Sequence, residues 1–398
     1  MEAAISPRVL LTTTRLPYPP ITGDKLLGYY RLKYLSKSCR ITLLSFIDQE
    51  EELAHLPELA PFCDRIETVL VPRWRSLWRA LSRSFRGLPL QVLYYESAEF
   101  GRRLDRLLSS NSYDIVHSVM IRGARHTMHL SGVPKVLDMI DSMSLNMQRR
   151  AEAEPAWRAW GFRVEAQRLR LFEQEACQAF DRVLVVSSLD QRHIGSPNVS
   201  VVPLGVELTT LRRRGGGGRP TIAFSGNLSY FPNQMAAFFL IKEILPALRR
   251  RIPNVVLKVV GAFPPHELRR LAREREGVEV TGYVKDLRAV LAEADLAVCP
   301  MRAGSGMQDK VLEAMACGLP VVASRLAVGD IKAQEGEHLL VADEVADIVD
   351  AVCRILNDPE LAERLSQNGN RLVADKYSWQ SANLRVAELY AELLRGRA

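Results

Sequence analysis

Residues 296–324 read LAVCPMRAGSGMQDKVLEAMACGLPVVAS. The apolar run LAVCPM (296–301) has strand composition, and Gly304 and Gly306 follow it. A helical stretch comes next and stops at Gly318, a residue suited to the left-handed position after a helix, with Pro320 just beyond. A second strand, LPVVAS (319–324), completes the pattern. Strand, glycine turn, helix and strand in succession mark a parallel α/β sheet. Glycine lets backbone come close to phosphate oxygens, and the first N–H groups of the helix are free to bind them, so the turn can seat a diphosphate. Lys310 and Glu313 share one helix face, where the ammonium would neutralise phosphate charge and the carboxylate would accept both hydroxyls of a ribose. The competing account is an exposed ion pair three residues apart. Location favours the ligand, because doubly wound sheets bind ligands beyond the carboxyl ends of their strands.

Outward from this segment the same alternation recurs. Apolar runs at 221–226, 255–261, 278–284 and 338–343 join 296–301 and 319–324 in one series, and runs at 8–14, 40–46, 65–71, 113–119, 135–140 and 182–188 form another. Near-continuous apolar strands are covered on both faces, as in parallel sheets. Between the series lies LRRRGGGGRP (211–220), whose consecutive glycines read as a hinge or surface linker. The division expected is an N-terminal Rossmann-like domain over 1–210, a linker over 211–219, a C-terminal nucleotide-binding domain over 220–376 and a terminal helix over 377–398. In that helix Trp379, Leu384, Ala387, Tyr390 and Leu394 recur at helical spacing. It either packs back on the first domain or simply closes the second.

A length of 398 residues suits two domains, and a net charge of +7 favours anionic partners such as nucleotides or phospholipid headgroups. Nucleic acid is a poor fit, since no helix-turn-helix, zinc or RNA-recognition motif is present. The six cysteines, Cys39, Cys63, Cys177, Cys299, Cys317 and Cys353, lack metal spacing and read as reduced core residues of a cytoplasmic protein. The N-terminal apolar run is too short for a signal sequence or a membrane span.

DKVLEAMACGLPVVAS, together with TIAFSGNLSYFPN, VEVTGYVKDLRAVLAEADLAVCPM and KYSWQSANLRVAELYAEL, resembles the C-terminal domain of family 4 glycosyltransferases. The branch nearest to it is that of bacterial sugar transferases associated with exopolysaccharide loci. The resemblance covers most of 220–398 and reaches the first domain only through YDIVHSV and LPYPPITGDK. It implies the GT-B fold, two Rossmann-like doubly wound domains facing across a cleft. The implied activity is retaining, metal-independent transfer of a hexose from a nucleotide-diphosphate-sugar to a saccharide or lipid-linked acceptor. No cofactor is implied, and no DxD motif argues for a metal.

By position, Glu313 matches the second, ribose-binding glutamate of the family's E-x7-E motif, whereas Ser305 stands where the first should be. In the nearest branch a G-x-G-x-x-x-K pattern fills this region, so Gly304, Ser305, Gly306 and Met307 are implied to contact phosphate, with Lys310 as the cation. The basic pair that many members carry after the first strand is also missing from SGNLSYFPNQ, which leaves Lys310 and Arg302 to meet the leaving-group charge. Gly226 and Asn227 are backbone candidates there. Tyr283 and Val284 are implied at the base, against an ordinary strand-end role for Tyr283. Gly23 is implied in a loop that closes over diphosphate and acceptor, with a plain turn as the alternative.

His117 and Asp141 are the candidates for acid–base work in the first domain. His117 reads equally as a satisfied histidine near a strand end, and Asp141 as the N-cap of the next helix. Asp138 closes the same strand. Retention does not demand such a base, because the departing diphosphate can itself take the acceptor proton while the protein supplies position and positive potential.

RWRSLWRALSRSFRG (73–87) places Trp74, Leu77, Trp78, Leu81 and Phe85 in a helical stripe with arginines around it. One account is an interfacial helix on an anionic membrane, which would make the protein peripheral on the inner face of the cell membrane. The other is an amphipathic helix whose stripe packs on the sheet. Two further functions stay open: a nucleotide-sugar epimerase of similar architecture, and a non-catalytic nucleotide-sugar-binding subunit.

Overall fold

The apolar runs form two parallel sheets because each strand is covered by helices on both faces. The computed structural model describes residues 6–208, 218–303 and 308–396, which fall into two units, Met1–Leu204 with Ala382–Ala398, and Gly205–Ser381.

The first unit holds β1 (Arg8–Thr13), β2 (Arg40–Ile47), β3 (Arg65–Leu70), β4 (Ile115–Val119), β5 (Lys135–Ile140), β6 (Arg182–Val185) and β7 (Val199–Val201). Their order is β3-β2-β1-β4-β5-β6-β7, with Val9 of β1 in register with Ile41 on one side and Ile115 on the other. The second unit holds β8 (Thr221–Ser225), β9 (Val256–Val260), β10 (Val278–Gly282), β11 (Leu296–Cys299), β12 (Val321–Ala323) and β13 (Leu340–Val341), ordered β10-β9-β8-β11-β12-β13. Strand order therefore reverses between β1 and β4 in one sheet and between β8 and β11 in the other. A parallel sheet opens a crevice at such reversals.

Twelve of these strands match the runs read from the sequence, β2 reaching one residue further to Ile47 and the last reduced to Leu340–Val341. β7 was not expected, since Val199 and Val201 flank a serine in a run too short to stand out. The chain leaves the first unit at Leu204 rather than near 210, and residues 209–217 of the glycine tract lie outside the described residues. Gly205 has no room for a side chain against the Trp379 backbone, and Val206 N–H donates to the Tyr377 carbonyl at 2.8 Å.

The terminal helix, Trp379–Arg395, begins in the second unit and counts with the first from Ala382 onward. Its buried stripe is Trp379, Ala382, Asn383, Val386 and Tyr390, whereas Leu384 is exposed. The stripe shifts from the expected one because a polar residue, Asn383, faces inward to accept a hydrogen bond from the Arg31 guanidinium at 3.0 Å. All six cysteines are free and five are buried; burial pushes the Cys299 and Cys317 thiols up to about 12.

The basic aromatic segment forms a helix over Arg73–Ser82 and a short 3-10 turn over Ser84–Arg86. Its stripe does not pack on the sheet. Trp74 is 67% exposed, Trp78 71% and Phe85 80%, and Leu77 and Leu81 are also exposed. The buried face is the small pair Ser76 and Ala80, and three arginines reach partners on neighbouring elements: Arg73 pairs with Asp48 at 3.0 Å, Arg83 with Glu96 at 2.8 Å, and Arg79 donates to the Glu96 carbonyl. A second exposed aromatic pair, Trp157 and Trp160, begins the Ala156–Ala179 helix of the same unit and was missed. Its signal was the stretch WRAW (157–160).

Candidate functional site

In the second unit, Lys310 and Glu313 lie on the helix Asp309–Ala316, which follows β11 at the carboxyl edge of the sheet. The helix closes as expected: Gly318 adopts φ 70°, its N–H donates to the Met315 carbonyl, and Leu319 N–H donates to the Ala314 carbonyl. Lys310 is not an exposed ion-pair partner. Its side chain is buried and donates to Gln308 Oε1 at 2.6 Å, and burial holds its ammonium below the usual lysine range. Burial, reinforced by the Asp309 carboxylate, pushes Glu313 up to about 7, while Lys310 and Arg288 pull it back. A buried ammonium beside a carboxyl that burial pushes up is what a binding site tolerates and a core avoids. Gly304, Ser305, Gly306 and Met307 lie outside the described residues.

The same edge carries the other donor-side candidates. Gly226 follows β8, its N–H bonded to the Val260 carbonyl at 3.0 Å, and a Cβ there would press on the Asn233 amide. Gly261 at the end of β9 is equally constrained, since a side chain would overlap the Gly226 carbonyl. Asn227 accepts from Ser229 N–H at 3.0 Å, and its carbonyl accepts from Asn233 Nδ2 at 2.9 Å. The other amide atom, Asn233 Oδ1, is buried and has no partner among the described residues. Sequence reasoning missed Asn233; the FPN that starts the helix Phe231–Phe239 just after the glycine turn was the available signal. The Arg302 guanidinium follows β11 and stacks on Phe239, 3.6 Å from the ring centroid. Tyr283 follows Gly282 (φ 75°) and is exposed, so it is not packed as a strand-end aromatic; Val284 beside it is half-buried.

In the first unit Gly23 begins the helix Gly23–Leu35 and is exposed, and a Cβ there would meet nothing. Nothing in its own unit demands a glycine at this place. Asp24 beside it gathers Arg15 at 3.3 Å and Arg122 at 3.2 Å. Burial alone would raise its carboxyl, but the Thr22 hydroxyl and the two guanidiniums hold it below the usual range.

Asp141 lies just past β5. The N-cap of the helix Met143–Ala153 is Ser142, whose Oγ accepts from Leu145 N–H at 3.2 Å, so Asp141 is not the cap. It instead accepts from Asn146 Nδ2 at 2.7 Å, and burial raises its carboxyl. The turn is fixed from behind by Glu173, which accepts from Ser144 N–H at 2.9 Å. Met120 and Ile140, at the ends of β4 and β5, adopt φ 73° and 69°. For a β-branched isoleucine this is costly, and such strain gathers at functional sites.

His117 is the exception. It is fully buried, its Nδ1 bonded to the Tyr390 hydroxyl and its ring edge-on to that of Tyr390. Burial, with the Arg31 charge nearby, lowers it to about 3, so the imidazole is neutral. The catalytic expectation is corrected: His117 is a core residue beneath the terminal helix, with no solvent-facing nitrogen.

Residues 219–358 match the family model described as Glycosyl transferases group 1. The GDP-mannose-dependent alpha-(1-6)-phosphatidylinositol monomannoside mannosyltransferase of Mycolicibacterium smegmatis is 33% identical over 191 residues, which cover 44% of this chain and 49% of that protein. Residues 219–358 thus resemble a glycosyltransferase domain. The MMP alpha-(1->4)-mannosyltransferase of Mycolicibacterium hassiacum is 25% identical over 75% of this chain and 76% of that one. The chain spans about half the length of most of the curated relatives that it matches. Among solved structures, sucrose-phosphate synthase from Thermosynechococcus elongatus superposes with a TM-score of 0.65 at 17% identity, covering 98% of this chain and 100% of that one. Anabaena HepE in complex with UDP and glucose gives 0.65 at 15%, over 97% and 100%. At such identities the likeness shows the GT-B fold alone. The matched segment, 219–358, contains the donor-side candidates described above, from Gly226 to Glu313.

Proposed function

We propose that this protein is a family 4 glycosyltransferase, retaining and metal-independent, that moves a sugar from a nucleotide-diphosphate-sugar to a saccharide or lipid-linked acceptor during glycan synthesis. The observation that carries the reading is the buried Lys310 with Glu313 on one helix at the carboxyl edge of the second sheet. Lys310 and the N–H groups that open its helix meet the diphosphate, Glu313 takes the ribose hydroxyls, Tyr283 and Val284 border the base, and Arg302 adds positive potential. Gly226, Asn227 and Asn233 line the backbone side. In the first unit Gly23 leaves room for the acceptor, and Asp141 orients an acceptor hydroxyl.

Thermal-shift titration with UDP-, GDP-, dTDP- and ADP-sugars tests the donor class, because a ligand of the native state raises the melting temperature. GDP-mannose belongs in that panel, since the M. smegmatis relative is named for it. Transfer assays with and without acceptor separate transferase from epimerase, and tight binding with neither transfer nor hydrolysis would favour a non-catalytic subunit.

Glu313 also sets a pH dependence. Only the carboxylate accepts two hydroxyls, so nucleotide affinity should fall as pH drops through about 7 in the native protein. Glu313→Gln should bind about tenfold more weakly at pH 8 and show a flat profile across that window. The unfolded chain's glutamate titrates lower, so between its usual range and about 7 the folded state holds the extra proton and this residue's contribution to stability grows on acidification. Equal nucleotide affinity of the two proteins at every pH would refute the ribose assignment.

The exposed Trp74, Trp78 and Phe85 extend the reading to an anionic membrane surface. Co-sedimentation with phosphatidylglycerol vesicles should succeed for the native protein and drop about tenfold or more for Trp74→Ser/Trp78→Ser. Undiminished vesicle binding by that double variant would remove the membrane from the proposal.

A further inference from the structure

The crevice at the strand reversal of the first sheet is a cavity of about 490 Å³, and none of the candidates above accounts for it. Its charged lining is Arg15 just past β1, Asp48 just past β2, Arg122 just past β4, and Arg73 on the first turn of the exposed aromatic helix. Three guanidiniums face one carboxylate. Asp24 behind them holds Arg15 and Arg122 in place, at 3.3 and 3.2 Å, without entering the lining. Arg122 Nε is buried and has no acceptor among the described residues, and its guanidinium lies over the Tyr95 ring at 5.5 Å. A donor in want of an acceptor, in a pocket with surplus positive charge, calls for an anion.

The other wall is apolar. Leu77, Ala80 and Leu81 of the Arg73–Ser82 helix line it, with Leu90 beneath. Leu77 and Leu81 are exposed members of the same stripe as Trp74 and Trp78, so the wall runs without a break onto the surface that faces solvent. Free phosphate would leave this wall unused. An amphiphile would use both halves, with its anionic head among the arginines and its chain along the leucines toward the aromatic stripe.

We propose that this pocket binds the phosphate-bearing head of a lipid-linked acceptor, with the lipid chain leaving along Leu77 and Leu81. The inference rests on the transferase reading for the word acceptor, but the binding it asserts can be measured without donor or turnover. Tyr94 and Tyr95 supply flat surfaces beside the arginines for a sugar carried on the phosphate. The residues that select the acceptor are then Arg73, Arg122 and Leu77.

The test is calorimetric titration of the full chain, without nucleotide, using farnesyl phosphate, farnesol and inorganic phosphate as separate probes. Farnesyl phosphate should bind, and each of the others should bind at least about tenfold more weakly. Arg73→Gln removes one exposed guanidinium and Leu77→Gln one exposed apolar side chain, so both proteins should melt like the native one. Each should weaken farnesyl phosphate about tenfold. Inorganic phosphate binding as tightly as farnesyl phosphate, or unchanged affinity in both variants, overturns the proposal. Lys310→Ala should bind farnesyl phosphate like the native protein, and a loss there overturns the proposal too, because the anion would then sit at the donor site. Failure of the native protein to bind any nucleotide-sugar would instead count against the transferase reading and leave this measurement standing.

Discussion

Lys310→Ala is expected to lower kcat/KM for sugar transfer by about a hundred- to a thousandfold, which corresponds to roughly 3 to 4 kcal/mol of lost transition-state stabilisation. The reasoning is electrostatic. Charge accumulates on the diphosphate as the glycosidic bond breaks, and Lys310 is a buried cation on that helix, placed where water screens it poorly. Because the charge grows between ground and transition states, kcat should fall much more than nucleotide affinity, which should drop only about tenfold. The fold should survive. Among the described residues Lys310 makes one hydrogen bond, to Gln308, and its charge costs desolvation that alanine avoids. Native-like turnover in a correctly folded Lys310→Ala protein would contradict the donor-site assignment, and a parallel melt would establish that the fold is intact.

The second large effect concerns stability. Asp138→Ala is expected to destabilise the protein by about 3 to 5 kcal/mol, the range for stripping one partner from a buried ion pair. Arg31 and Asp138 are both buried and meet at 2.9 Å, and no water-exposed atom of either relieves the loss. Among the described residues the guanidinium would keep only Asn383 as its side-chain acceptor. His117, whose Nε2 lies 3.8 Å from Asp138, would lose its nearest carboxylate as well. Asp138→Asn, which keeps the shape and one acceptor oxygen, should cost less. Denaturant unfolding checks both, and an Asp138→Ala protein within about 1 kcal/mol of native would show that the pair contributes little.

The parallel sheets were legible because near-continuous Val, Ile and Leu runs have few other folds open to them. The helix Asp309–Ala316 was legible because glycines before it and Gly318 after it mark its two ends. What escaped depends on contacts distant in sequence. His117 looked available until Tyr390, far along the chain, covered it. Asn233 and Arg122 were not singled out, since an unmet hydrogen-bond atom has no pattern in one dimension. In the stretch 73–87 periodicity found the aromatic stripe correctly, but which side faces inward was decided by Ser76, Ala80 and the reach of Arg73, Arg79 and Arg83 to partners elsewhere. Hydrophobic pattern left both accounts of the tryptophans open, and packing exposed them.

The membership of Ala382–Ala398 in the first unit has a consequence for how the protein matures on the ribosome. Residues 1–204 emerge early with Arg31 and His117 still lacking Asn383 and Tyr390, so that half must wait, incompletely sealed, while the entire second unit is translated. A premature stop codon a few codons before Tyr390 would spare Lys310 and Glu313 and still leave the first unit without its closing piece.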